Sequence, residues 1–213
     1  MSETATWVFE SLWIAGILAF AISGALVGVR HHLDLLGILV VGTATGIGGG
    51  IIRDMMIGVH PPVSLLVWPY WTTAMLGSLL VFFFHPGLSK IRRFEIVFDA
   101  LGLGIFSAYG AAVATASGLD ITTAIFVGTI VSIGGGVIRD VLVNDVPGVL
   151  TRELYAVSAI LGAAVATAIT HFTGNLMAAS IIGGVLAISL RLTSYARGWH
   201  LPKPRQVKET PNR

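Results

Sequence analysis

Residues 48–54 read Gly48-Gly49-Gly50-Ile51-Ile52-Arg53-Asp54, and residues 134–140 read Gly134-Gly135-Gly136-Val137-Ile138-Arg139-Asp140, the same phrase 86 residues later. Each copy sits inside a long apolar stretch. Glycine is the poorest helix former after proline, and a charge in hydrocarbon is expensive and marks a pathway or a site. Both costs recur at matched positions, which points to a polar site built from two halves of a duplicated membrane protein. Between 42–62 and 128–148, ten of 21 aligned positions are identical, including Gly42, Thr43, Ile47, Ile52 and Pro61. Weaker matches extend outward through Gly16/Gly102, Phe20/Phe106, Gly24/Gly110 and Asp34/Asp120.

Working outward, the 213 residues are 54% hydrophobic and only 11% charged, against about 25% charged in soluble domains. Mean hydropathy is +0.84. A helix needs about 20 apolar residues to cross the hydrocarbon, and the chain offers seven such runs, near 7–29, 35–57, 63–84, 96–117, 121–143, 153–172 and 175–193. The expected fold is an all-α integral membrane protein of seven transmembrane helices. Its organisation is a first three-helix repeat (1–94), a second repeat (95–173), a seventh helix (174–193) and a basic tail (194–213). Three spans is an odd number, so the second unit enters from the opposite side as an inverted repeat.

Orientation follows from Lys and Arg. Arg30, then Lys90, Arg92 and Arg93, then Arg152, then the tail with Arg197, Lys203, Arg205, Lys208 and Arg213 fall in alternate connections. The intervening loops, around 58–62, 117–120 and 170–175, carry none. The positive-inside rule then places the N-terminus outside and the C-terminus in the cytoplasm. No Lys or Arg precedes Arg30, so the N-terminus lacks the basic opening of a secretory signal.

Three consecutive glycines present small surfaces all around a helix, more than one packing contact needs. The expectation is that Gly48–Gly50 and Gly134–Gly136 kink or open their helices, freeing carbonyls toward an ion path. Thr43, Thr129 and Ser132 join that path. A cross-repeat salt bridge is not expected, because each Arg lies about 6 Å along its helix from the central glycine and inverted copies diverge. Asp54 and Asp140 are expected in the first turn of a second half-helix, complementing its dipole. Arg53 and Arg139 are expected to bond freed carbonyls or reach the interface. Asp99 is the accessory acid, read as paired with Arg92 and Arg93 at the solvated start of span four.

Cysteine is absent, the six histidines lack metal-ligand spacing, and no phosphate loop, nucleophile elbow or zinc-protease signature occurs. These absences argue against an enzyme, a resident cofactor or a metal centre, and the basic balance reports orientation rather than nucleic-acid binding.

Two copies of Gly-Gly-Gly-x-x-Arg-Asp in a seven-span chain of this length resemble the prokaryotic TRIC-type (trimeric intracellular cation) channels, a family also labelled glycine-transporter-like. The resemblance covers about residues 10–193. It implies a homotrimer in a bacterial or archaeal inner membrane, with a pore in each protomer for K⁺ and other monovalent cations. It also implies that spans two and five, kinked at their glycines, line that pore. Bound species would be K⁺ or Na⁺ and lipid, with no organic cofactor. The rival reading is a secondary transporter for a small zwitterion such as glycine, for which broken helices presenting both dipole ends would suit an amino acid's two charges.

Overall fold

The structure is a computed structural model that describes residues 3–85, 88–151 and 153–202. Arg152 and the tail cations Lys203, Arg205, Lys208 and Arg213 lie outside the described residues. The described chain is all helix: α1 (Glu3–Arg30), α2 (Leu35–Met56), α3 (Val63–Leu66), α4 (Trp68–Phe84), α5 (Leu88–Ala116), α6 (Ile121–Leu142), α7 (Gly148–Thr151), α8 (Tyr155–Thr173) and α9 (Leu176–Arg197). Six of these helices are long and apolar enough to cross a membrane, and α4 is a shorter apolar helix of 17 residues.

Three boundaries differ from expectation. The third run splits at Val67, which is extended. Pro69 in the first turn of α4 has no N–H to give the preceding turn, and its ring excludes that turn's carbonyl, so the helix restarts there. Helix α5 begins at Leu88 rather than near 96, because Lys90, Arg92 and Arg93 depress hydropathy without breaking helix. Helix α9 runs to Arg197, where Gly198 in the left-handed region stops it.

The repeated segments begin and end with the same local chemistry. Asp34 caps α2 by accepting the Gly37 N–H, and Asp120 caps α6 by accepting those of Thr122 and Thr123. At the other ends, Val59 N–H donates to the Asp54 carbonyl and Asp145 N–H to the Asp140 carbonyl, each at 2.8 Å. Gly58 and Asn144 take the left-handed conformation these stops require.

Helices α1 and α5 form the centre. They pack on each other, α1 also holds α2 and α4, and α5 holds α6, α8 and α9. In lipid, helices associate through close van der Waals contact at small residues rather than by expulsion of water. A Cβ at Gly16 would lie 2.6 Å from the Phe106 ring, and one at Gly102 would lie 2.5 Å from the Phe20 ring. The contact made by the first copy on the second thus recurs from the second copy on the first. Gly24 faces Thr45 and Gly42, and Gly110 faces Val131 and Gly128, so these glycines pack within the chain. Large apolar side chains such as Leu76, Leu80, Phe83 and Ile182 are exposed around the outside, a surface suited to lipid rather than water.

Candidate functional site at the paired Gly-Arg-Asp motifs

Four of the six motif glycines, Gly48, Gly49, Gly134 and Gly135, sit where α2 crosses α6, whereas Gly50 faces Ser64 and Trp13 and Gly136 faces Tyr155. A Cβ at Gly49 would collide with the Val131 carbonyl oxygen, and one at Gly135 with the Thr45 carbonyl oxygen, the pseudo-equivalent atom. Gly48 faces the tip of Ile138 and Gly134 faces the tip of Ile52. Both helices run uninterrupted through their glycines, which corrects the expected opening. With no Cβ at the crossing, the backbones approach closely enough to offset the intrinsic cost of three glycines, and no carbonyl needs to be freed.

Of the hydroxyls, Thr129 donates to the Ile125 carbonyl and Ser132 to the Thr129 carbonyl, so both are bonded within α6. Thr43 lies in a shallow groove with Leu36, Val40, Ile47 and Met75, away from the glycine crossing.

The charged pairs stand in the last turns of α2 and α6, not in the first turn of a second half-helix as expected. Arg53 donates twice to Asp54 Oδ1, at 2.8 and 2.7 Å, and Asp54 Oδ2 accepts the Val63 N–H at 2.7 Å. Arg139 Nε donates to Asp140 Oδ1 at 2.8 Å, and Asp140 Oδ2 accepts the Gly148 N–H at 2.7 Å. Each Asp therefore ties the end of a long helix to the start of the short one that follows. All four side chains are buried, and the two motifs form no salt bridge with each other.

Around these matched cores the surroundings diverge. Arg53 lies over the Trp13 ring at 4.2 Å and near the Tyr109 ring at 5.7 Å. Arg139 donates instead to Asp99 Oδ1 at 2.7 Å and to Ser23 Oγ at 2.8 Å. Trp13 and Asp99 are 86 residues apart, as are Ser23 and Tyr109. The same two positions around each guanidinium thus hold aromatic rings in one copy and a carboxylate with a hydroxyl in the other.

Asp99 is fully buried. It belongs to Arg139, not to the exposed Arg92 and Arg93, which corrects the solvated pairing expected for it. The early start of α5 places it three turns inside the helix.

A second cluster was missed in the sequence. Arg30 pairs with the fully buried Glu95 at 2.5 Å and with Asp145 at 3.1 Å, and His31 Nε2 lies 3.1 Å from Asp145. Buried Arg191 bonds the Glu153 carbonyl and carboxylate. No local spacing announces these pairs, because their members come from separate loops and helices. The 86-residue offset could have flagged the Trp13/Asp99 exchange.

The family model described as "Glycine transporter" matches residues 10–86 and 96–171, one segment for each copy. The chain belongs to this family, the TRIC-type membrane proteins. It is 43% identical over 192 residues to a UPF0126 membrane protein of Deinococcus radiodurans, covering 89% of this chain and 88% of that one. It is 37% identical to the UPF0126 inner membrane protein YadS of Escherichia coli K12, covering 90% and 92%. A solved structure concerned with conductance through TRIC cation channels superposes at a TM-score of 0.85, with 38% identity over 95% of this chain and 100% of that one. The TRIC trimeric intracellular cation channel orthologue from Rhodobacter sphaeroides superposes at 0.84, with 33% identity over 90% and 98%. This is a membrane protein whose structural neighbours are channels, not enzymes.

Proposed function

We propose that the protein is a passive monovalent-cation channel, conducting K⁺, with one path through each protomer of a homotrimer. The observation that carries this reading is the likeness to solved TRIC cation channels along nearly the whole chain. The two three-helix units are an inverted repeat with α9 added, and the reciprocal Gly16–Phe106 and Gly102–Phe20 contacts support that arrangement. The path runs along the α2–α6 crossing, past Gly48, Gly49, Gly50, Gly134, Gly135 and Gly136, which is tightly packed here and would part to conduct.

Charge favours cations over anions. Arg139 faces two carboxylates, Asp99 and Asp140, and Arg30 faces two, Glu95 and Asp145. The buried Arg139 cluster holds one acid more than its guanidinium neutralises, and negative charge of that kind attracts positive ions. The glycine-transport reading loses its physical support with the uninterrupted helices, which present no opposed dipole ends for a zwitterion.

The test is recording from purified protein in planar bilayers under a KCl gradient, alongside glycine flux in liposomes. Currents should reverse near the K⁺ equilibrium potential, and Asp99→Asn should move that reversal toward zero. Glycine uptake without ionic current would overturn the reading.

A further inference from the structure

A groove of about 320 Å³ opens on the outer face between α1, α4 and the first half of α5. Ile22, Leu26, Leu80, Phe84, Phe94 and Phe98 line it. A neighbouring groove of about 330 Å³ shares Phe94 and is lined by Lys90 and Arg93. We propose that these joined grooves bind one anionic phospholipid, an acyl chain lying along the phenylalanines and the headgroup on Lys90, Arg92 and Arg93.

The repeat explains why the groove is open. Ile22 and Leu26 of α1 correspond to Ala108 and Ala112 of α5, and Val81 of α4 corresponds to Ala166 of α8 once the one-residue shorter second connection is counted. Those three alanines are fully buried, and α9 lies across them. A Cβ at Gly183 of α9 would sit 3.0 Å from both Ala108 and Ala166. The second copy's face is therefore sealed by a helix that the first copy lacks. An apolar channel left unsealed in a bilayer is filled by something of acyl-chain calibre, because close packing tolerates few voids.

The cations select the headgroup. Lys90, Arg92 and Arg93 are exposed, and none forms an ion pair among the described residues. They stand in the first two turns of α5, where positive charge opposes the helix dipole, so they do not serve the helix. Glu95, the nearest carboxylate in sequence, is occupied by Arg30. Lys90 and Arg93 line one end of the apolar groove, with Arg92 beside them in the same turn, and together they complement a lipid phosphate, whereas a second copy of this chain would have to supply an acid there.

The experiment uses the full chain, delipidated in detergent, with dioleoyl phosphatidylglycerol or dioleoyl phosphatidylcholine added and bound lipid counted by native mass spectrometry. Wild type should retain phosphatidylglycerol about tenfold more tightly than phosphatidylcholine. The triple variant Lys90→Gln/Arg92→Gln/Arg93→Gln, changed only at exposed positions, should lose that preference. Leu80→Trp, which fills the groove, should lower retention of both lipids. Equal retention of the two lipids by wild type, or an unchanged preference in the triple variant, would overturn the proposal. So would an efficient disulfide between protomers in Leu80→Cys, since the chain has no other cysteine and the occupant would then be a second copy.

Discussion

Arg53 and Arg139 carry the same charge at the same place in their copies, yet their loss should cost different amounts. Removing Arg139 strands two buried carboxylates, Asp99 and Asp140, and breaking a buried pair in this way costs about 3–5 kcal/mol. Removing Arg53 strands only Asp54, whose second oxygen keeps the Val63 N–H, and forfeits a contact with Trp13 worth about 2 kcal/mol when desolvated. Arg139→Gln should therefore lower the midpoint of thermal unfolding in detergent clearly more than Arg53→Gln, and a Trp13→Phe background should widen the gap, because the weakened Arg53 site then has less to lose. The glycines divide just as sharply. Gly49→Ala and Gly135→Ala press a methyl on a backbone carbonyl and should each cost about 1–3 kcal/mol, the range for overpacked cores. Gly48→Ala and Gly134→Ala meet only the flexible tips of Ile138 and Ile52 and should cost less in the same assay. The motif, its burial and its local pairing were legible in the sequence because they repeat. That the glycines close a crossing rather than open one was not, since three glycines serve a broken helix and a close contact equally well. Asp99 was legible as a chemical group but not in its partner, which lies 40 residues away on another helix.

Each repeated helix is framed by an Asp cap and a left-handed stop, and these frames make predictions of their own. His32 and Asn144 hold φ of 56° and 58°, where the pseudo-equivalent residues are Gly118 and Gly58. A side chain there costs about 1–2 kcal/mol, partly returned because glycine loosens the unfolded chain. His32→Gly should therefore raise stability by about 0.5–1 kcal/mol, and Asn144→Gly by less, because asparagine tolerates this region. At the start of α6, the hydroxyl and backbone N–H of Thr123 hold the exposed Asp120 carboxylate below its ordinary 3.8. A lowered native pKa means its stabilisation is present above pH 3.8 and is lost as pH falls through the native value. Hydrogen exchange at the first turn of α6 should accelerate across that acid window in wild type and show no such step in Asp120→Ala. The caps and stops were readable from single residues. The reach of α5 back to Leu88 was not, because hydropathy marks where a helix meets hydrocarbon and is blind to turns that continue into charged water.

At the scale of the whole molecule, charge and aromatic rings separate along the axis. Arg30, Glu95, Asp145, Asp99, Arg139 and Asp140 gather where α1 ends and α6 ends, while Arg53 and Asp54 lie among Trp13 and Tyr109. The end that holds Glu95 and Asp145 is also the end of Lys90, Arg92 and Arg93, whose loop follows α4. The positive-inside rule predicts that this end faces the cytoplasm, and seven crossings, with α4 as the short third, would then fix the side of both termini. The chain has no cysteine, so single cysteines report topology without background. Cysteine at Ser117 or Thr173, in the loops without Lys or Arg, should react with a membrane-impermeant maleimide in intact spheroplasts. Cysteine at His31 or Trp199 should react only after permeabilisation. His31 is the sharper probe, because its contact with Asp145 joins the α1–α2 and α6–α7 connections at one end. If α4 failed to cross, every later loop would change sides, and Ser117 and Thr173 would label only in broken membranes. That outcome would remove the inverted repeat. The opposed pattern, with His31 labelled from outside, would keep the repeat and reverse its direction, placing the end of Glu95 and Asp145 on the outer face.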